Sequence, residues 1–152
     1  FLIEKFANIG AEMMIEVLQN ARDFKLVEVR QDEALVTYAK KLEKSECEID
    51  FKKSAKEIDA MIRGLNGSLG AYFITSFAMI SNFLVDQMPF GEKIKIFSCE
   101  IIDENSTENA VGKILNEQLH IQCGRGIIRP LILQRAGKNK VTIKEFLLGL
   151  RR

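Results

Sequence analysis

Alternation of apolar and polar residues in the second half of the chain constrains its fold more than any other feature. The run KIKIFSCEII (93–102) alternates, and so do LHIQC (119–123) and IIRPLILQ (127–134). A period of two puts successive side chains on opposite faces, which is typical of strands with one buried face. Earlier, ECEIDF (46–51) also alternates, and the apolar segment 69–85 predicts one or two buried strands. The sequence therefore predicts several short antiparallel strands.

Segments with helical spacing accompany these strands. Leu2 to about Ala21 repeats apolar residues along one helical face. Ser54 with Glu57, and Thr142 with Glu145, have the spacing of capping boxes, and each pair opens an apolar helical stripe. This combination predicts an α+β fold that is mainly β, a small barrel or rolled sheet with packed helices, preceded by a helix and a linker.

The polar stretch after the first helix has no helical period and predicts an extended linker. We therefore expect a terminal helix at residues 1–21, a linker at 22–33 and a separate domain at 34–152. The chain opens on Phe1 rather than Met, which indicates a fragment of a longer protein.

A near-neutral total conceals an uneven charge distribution. The net charge is +1, but residues 111–152 hold 9 Lys and Arg against 2 acids (9 − 2 = +7), whereas residues 1–110 hold 13 against 19 (13 − 19 = −6). Such asymmetry favours an anionic partner, and a basic face gives salt-sensitive affinity for nucleic acid. A solvated surface is the alternative, and it is stronger for Lys40 and Lys41, which have acids nearby, than for the basic C-terminal part.

The sequence contains no constellation typical of catalysis. His120 is the only histidine and lies in an alternating run without a nucleophile near it, so we interpret it as a sheet-face histidine. Gly124, Arg125 and Gly126 lack the spacing of a phosphate-binding loop and predict a hairpin turn. The alternating carboxylates of segment 46–51 favour a solvated strand edge.

The three cysteines indicate which cellular compartment and which metal or disulfide sites to expect. Cys47, Cys99 and Cys123 are far apart and form no CxxC pair. They favour neither a zinc site nor a disulfide framework, and we expect reduced thiols in the cytoplasm. No apolar run approaches the ~20 residues that a membrane-spanning helix needs, so no membrane partner is expected.

Ordered blocks of the sequence resemble a known family. QDEALVTYAKKLEKSECEIDF is followed by AKEIDAMIRGLN, AYF, GEKIKI, GKIL and CGRGIIRPLILQRAGKNKVTIKEFLLG, between Gln31 and Gly149. These blocks are similar, in the same order, to the C-terminal domain of the bacterial methionyl-tRNA formyltransferase family. The opening FLIEKFANIGAEMMIEVLQ resembles the last helix of that family's N-terminal catalytic domain.

The resemblance implies a fold and a function. It implies an oligonucleotide-binding-like β-barrel, joined by a linker to a catalytic domain. It also implies a role in formylating initiator methionyl-tRNA for translation initiation, with 10-formyltetrahydrofolate as the formyl donor. The family's catalytic residues and folate pocket belong to the catalytic domain, so we expect no catalytic residue, cofactor or metal in this chain. The expected partners are initiator tRNA and the missing catalytic domain.

The resemblance also implies phosphate contacts from basic residues, which position RNA without reading bases. The residues predicted to bind RNA in the matching blocks are Lys40, Lys41, Arg125, Arg135, Lys138 and Lys140. The chain departs from the family at Arg135, where proline is usual, and at Arg125, where an acid is frequent. Residues 66–69 replace a proline-rich turn, which predicts a looser connection there.

Two alternatives stay open at the level of sequence. The chain is also compatible with the C-terminal structural domain of another folate-dependent formyltransferase, of the nucleotide-sugar or formyl-folate type. A stand-alone RNA-binding module is less favoured, because the apolar stripe of the first helix needs a partner surface.

Overall fold

The computed structural model describes residues 2–23, 25–67, 69–76, 79, 90–107 and 110–150. The chain divides into two compact units, Phe1–Lys40 and Lys41–Arg152. Each unit is described by itself. The sequence-based boundaries at residues 21 and 33 stay predictions.

The first unit consists of a helix and an irregular segment. Helix α1 spans Leu2–Arg22 and confirms the predicted helix, and none of its residues is buried. Its apolar stripe, which includes Phe6, is therefore exposed. Further along, the side chain of Asp32 accepts a hydrogen bond from the amide of Ala34 at 2.9 Å and opens one turn of 3-10 helix.

An antiparallel sheet forms the centre of the second unit. Its elements are helix α2 (Ala55–Leu65), strands β1 (Ala71–Ile74), β2 (Lys93–Asp103), β3 (Ile121–Gln122), β4 (Ile127–Arg135) and β5 (Lys140–Thr142), and helix α3 (Ile143–Leu150). The strand order is β1-β2-β4-β3, and β5 also pairs with β4. Strands β3 and β5 share one side of β4 at its opposite ends, at residues 127–128 and 132–134. The two ends of β4 therefore have different neighbouring strands, β3 at one end and β5 at the other.

The core lies between one face of the sheet and the helices. Ile94 and Ile96 of β2 are fully buried, as the alternation predicts. They share this core with Ile58 of α2 and Phe146 of α3. Burying each isoleucine side chain contributes ~1.5–3 kcal/mol, and this shared core holds both helices on one face of the sheet.

Both predicted capping boxes are confirmed. Ser54 donates from its amide to the carboxylate of Glu57 at 2.9 Å, and the amide of Glu57 donates back to the hydroxyl at 3.3 Å. Thr142 and Glu145 make the same pair of bonds at 2.8 and 3.4 Å. The hydroxyl of Ser54 also donates to the Glu57 carboxylate at 2.6 Å, and that of Thr142 donates to Glu145 at 2.8 Å. The hydroxyl and amide bonds to each carboxylate hold the pKa of both glutamates below the ordinary value.

The predicted barrel is not supported, because the sheet is open over the described residues. Strands β1 and β3 lie on different edges and do not pair with each other. Single bridges extend the edges instead, from Glu48 to Tyr72 and from Ile114 to Ile121. Because α2 and α3 already cover the apolar face, burial of the core does not require the sheet to close.

Two predicted strands differ from the structure. The alternation of segment 46–51 predicts a strand, but the segment contains the end of a 3-10 turn and a single bridge to β1. Segment 119–123 is a strand only at β3, because Leu119 has a positive φ of 62° and breaks the extended backbone. Within the predicted buried segment 69–85, β1 forms the strand, and most of the remainder lies outside the described residues.

Candidate nucleic-acid interface

The solvent-facing side of the sheet carries the basic residues of β2. Because Ile94 and Ile96 point into the core, Lys93, Lys95 and Phe97 lie on the opposite face. Sequence reasoning identified the strand but not the lysines. The pattern that contains this information is Lys at positions i and i+2 around a buried isoleucine.

The strand register brings separate parts of the sequence into one row. Tyr72 of β1 pairs with Lys95, Lys95 pairs with Gln134 of β4, and Gln134 pairs with Lys140 of β5. Directly paired residues share a face, so these four side chains form a row across the sheet. Lys140, predicted to bind RNA, is therefore on the same face as Lys95.

Two lysines of this face lie on aromatic rings. Nζ of Lys93 is 3.7 Å from the ring centroid of Tyr72, and Nζ of Lys140 is 3.7 Å from that of Phe97. The two aromatic residues are only 7% and 8% exposed. Each contact contributes ~0.5–1 kcal/mol at an exposed site and holds an ammonium group in place. The face therefore presents positive charge rather than aromatic surface.

A groove with two cavities runs beside this row, and we call it the basic groove. The first cavity, about 210 Å³, is lined by residues that include Lys44, Tyr72, Lys93 and Lys95. The second, also about 210 Å³, is lined by residues that include Lys93, Lys95, Arg135 and Lys138. Lys93 and Lys95 line both cavities. The basic groove is defined here by Lys44, Lys93, Lys95 and Lys138.

Gly70 lines the first cavity and packs closely against Phe97 and Lys95. Its φ is +74°, and a Cβ atom there would lie 3.3 Å from the ring of Phe97 and 3.4 Å from the stem of Lys95. A side chain at this position would be strained and would press on both neighbours. The close approach of the backbone thus helps to fix the ring and the lysine.

The four groove lysines have no ion-pair partner in the part of the chain that the structure describes. Arg135 differs, because its Nε donates to both carboxylate oxygens of Glu92 at 2.8 and 3.1 Å. These bonds raise the pKa of Arg135 and leave its charge compensated. Arg135 is therefore next to the groove but is a weaker phosphate ligand than the lysines.

Arg125 lies apart from the groove. It occupies the confirmed hairpin turn between β3 and β4, and its side chain donates to Asn105 at 2.8 Å. Strand β4 extends from Ile127, next to this turn, to Arg135 at its other end, and eight steps of roughly 3.3 Å give a length of about 26 Å. The two predicted RNA-binding arginines are therefore at opposite ends of the sheet.

Lys40 and Lys41 lie on an exposed irregular segment. Lys40 is the last residue of the first unit and Lys41 the first residue of the second. Of the six residues predicted to bind RNA, the structure brings Arg135, Lys138 and Lys140 together beside Lys93 and Lys95.

His120 has no catalytic surroundings. Its Nε2 atom is buried without a hydrogen-bond partner among the described residues. Burial, together with the charge of Arg129, lowers the pKa of His120, while Glu100 opposes this shift. His120 lies directly before β3 and outside the strand, so its interpretation as a sheet-face histidine stays a prediction.

The described ranges contain no group of three His, Cys, Asp or Glu side chains placed to hold a metal ion. No helix in those ranges has the length and apolar character needed to cross a bilayer.

The comparisons identify the family. Residues 41–151 match the family model described as formyl transferase, C-terminal domain, and the chain belongs to this family. Among curated relatives, the methionyl-tRNA formyltransferase of Rickettsia massiliae is 36% identical over 149 residues, covering 97% of this chain and 43% of the relative. The methionyl-tRNA formyltransferase of Rhizorhabdus wittichii is 36% identical over 148 residues, covering 97% of this chain and 42% of the relative. The resemblance seen in the sequence is confirmed, and the chain spans less than half the length of these relatives.

Solved structures share the fold at low identity. A variant of HypX from Aquifex aeolicus has a TM-score of 0.63 and 17% identity, covering 91% of this chain and 23% of that one. The structure of HypX from Aquifex aeolicus in complex with tetrahydrofolic acid has a TM-score of 0.62 and 15% identity, covering 93% of this chain and 23% of that one.

Proposed function

We propose that this chain is the C-terminal part of a methionyl-tRNA formyltransferase and helps to bind initiator methionyl-tRNA. The observation that carries the proposal is the basic groove, whose four lysines have no ion-pair partner among the described residues and whose Lys95 lies on one face of the sheet with Lys140. Lysines on a continuous face neutralise phosphates and release counterions, which gives affinity without base specificity. The names of the curated relatives agree with this assignment.

In this proposal the chemistry belongs to the rest of the enzyme. The formyl group comes from 10-formyltetrahydrofolate, and the catalytic groups and folate pocket belong to an N-terminal catalytic domain. The exposed apolar stripe of α1 fits the terminal helix of such a domain, which would cover it. The enzyme works in the cytoplasm, and this chain alone is inactive.

Lys40, Lys41 and Arg125 remain proposed RNA contacts. Lys40 and Lys41 are exposed, and they precede Lys44 of the groove in the sequence. Arg125 at the far end of β4 would contact a different part of a large RNA.

The test is binding of the 152-residue chain to initiator tRNA and to an elongator tRNA across a salt series. We expect similar, weak binding to both, with an affinity that falls steeply as salt rises. Absence of binding at low salt would contradict the proposal. It would favour the second candidate, a structural domain of another folate-dependent formyltransferase, whose fold the HypX likeness fits equally well.

A further inference from the structure

We propose that Asn66 is a site of spontaneous deamidation and that the isoaspartyl product opens the turn between α2 and β1. Deamidation replaces the side-chain amide of asparagine with a carboxyl group and needs water but no enzyme. The chain has eight asparagines, and only Asn66 is followed by glycine. Because glycine has no Cβ, its amide nitrogen is the least hindered nucleophile that a following residue supplies. The inference does not depend on RNA binding.

The reaction joins the side chain of Asn66 to the backbone of Gly67. The amide nitrogen of Gly67 loses its proton and attacks the side-chain carbonyl carbon of Asn66, two groups that the chain already holds close together. The bond from that carbon to the side-chain nitrogen breaks, and the nitrogen leaves as ammonia with the proton. Water then opens the resulting imide ring. Opening at the side-chain carbonyl gives aspartate, and opening at the backbone carbonyl gives isoaspartate.

The structure leaves these two residues free to react. Both are exposed, and Asn66 is the first residue beyond α2. The carboxamide of Asn66 makes no hydrogen bond with any residue that the structure describes. Its φ of −62° and ψ of −23° are helical, so the attack requires a rotation of the backbone. Because helix ends fray, this rotation is easier at the end of α2 than inside a helix.

Other asparagine side chains are held by hydrogen bonds. Asn105 accepts a bond from the side chain of Arg125 at 2.8 Å. Asn116 accepts bonds from the amides of Gln118 and His120 at 3.0 and 3.3 Å. Each carboxamide must break these bonds before its carbonyl carbon is attacked. The structure therefore favours the same asparagine that the following glycine favours.

The turn after α2 gives the modification a structural consequence. The amide of Gly70 donates to the carbonyl of Leu65 at 3.1 Å, and Asn66 lies inside the turn that this bond closes. Isoaspartate adds one carbon to the backbone of the turn, so the bond loses its geometry. Gly70 is packed closely, since a Cβ atom there would lie 3.3 Å from the ring of Phe97. Opening of the turn therefore frees Gly70 from this ring.

The test ages the full chain at about pH 7 and about pH 8 and follows each asparagine by peptide mass spectrometry. The variants are Asn66→Gln, which keeps a carboxamide on a longer side chain, and Gly67→Ala, which keeps Asn66 and adds a Cβ atom. Both positions are exposed, so both variants should fold. The unmodified chain and the isoaspartyl chain, separated by ion exchange, are then compared by hydrogen exchange at Gly70.

We expect the Asn66 peptide to convert before the peptides of Asn105 and Asn116. The rate should rise by up to about tenfold per pH unit, because the attacking amide must lose its proton. The net charge falls from +1 to zero (1 − 1 = 0), so isoelectric focusing should show a new acidic band. This band should be absent from Asn66→Gln and should form more slowly in Gly67→Ala. The isoaspartyl chain should lose protection at the Gly70 amide.

Two results would overturn the inference. One is a wild-type chain in which the Asn66 peptide converts no faster than the Asn105 peptide, a measurement that does not depend on the folding of any variant. The other is hydrogen exchange at Gly70 that is equally slow in the isoaspartyl and unmodified chains, because the turn would then tolerate the longer backbone.

Discussion

The turn between β3 and β4 is held so closely against another part of the backbone that a single methyl group should disrupt it. A Cβ atom at Gly124 would lie 1.9 Å from the carbonyl oxygen of Lys52 and 2.7 Å from its carbonyl carbon. No side-chain rotation relieves a clash with backbone atoms. The substitution Gly124→Ala must therefore push the turn away from the segment that precedes α2.

The cost follows from what that displacement breaks. The amide of Gly124 donates to the carbonyls of Phe51 and Lys53 at 2.7 and 3.0 Å, and the amide of Ala55 donates to that of Arg125 at 2.8 Å. Losing the bonds of these two donors costs about 1 kcal/mol each, and overpacking adds about 1–3 kcal/mol. Gly124→Ala should therefore destabilise the fold by ~3–5 kcal/mol, a large share of the ~5–15 kcal/mol typical of a domain.

Urea unfolding, followed by circular dichroism, measures this loss. With a slope of about 2 kcal/mol per molar urea, the midpoint should fall by roughly 2 M. The control is Gly64→Ala, because nothing lies within 4 Å of that position in α2, and alanine there should stabilise the helix by up to about 1 kcal/mol. A loss below about 1 kcal/mol for Gly124→Ala would refute the reasoning.

Three further outcomes can be measured. Glu92→Gln should release Arg135 for phosphate and raise RNA affinity at 0.1 M salt by up to roughly eightfold, whereas an unchanged affinity would mean that the arginine is not beside the bound RNA. Because hydrogen bonds from Ser54 hold the pKa of Glu57 below its ordinary value, the cap stabilises the fold fully above that ordinary value and is lost as pH falls through the lowered one. Melting curves from about pH 6 to about pH 3 should therefore show a smaller acid-induced drop in Tm for Glu57→Gln than for the wild type, and equal drops would contradict this. Burial raises the pKa of Cys99 to about 12, so mass spectrometry should find slow alkylation of this thiol at neutral pH and much faster alkylation in urea, and equal rates would argue against burial.

Features that depend on neighbouring residues could be predicted from the sequence. The cap at Ser54 needs only Glu57 three residues later, and the inward positions of Ile94 and Ile96 need only the alternation. Both are local consequences of backbone geometry, and both are confirmed. The family resemblance suggested the proposed function, but it also suggested a barrel, whereas the sheet is open over the described residues.

Features that depend on pairing between distant segments could not be predicted. Glu92 and Arg135 are 43 residues apart, and only the register of β2 with β4 brings them together. The same register places Lys95 in one row with Lys140. Alternation fixes which face a residue takes but not its partner on the next strand, so the groove could not be assembled before the sheet was known.

The lysines that lie on aromatic rings also bear on the entropy of binding. A free lysine side chain gives up about 1.5–2 kcal/mol of rotamer freedom when it is ordered, which offsets much of its attraction to a phosphate. Lys93 and Lys140 have lost part of that freedom on folding, because each ammonium group already rests on a ring. The rings of Tyr72 and Phe97 thus act as supports that preorganise cations on this face of the sheet.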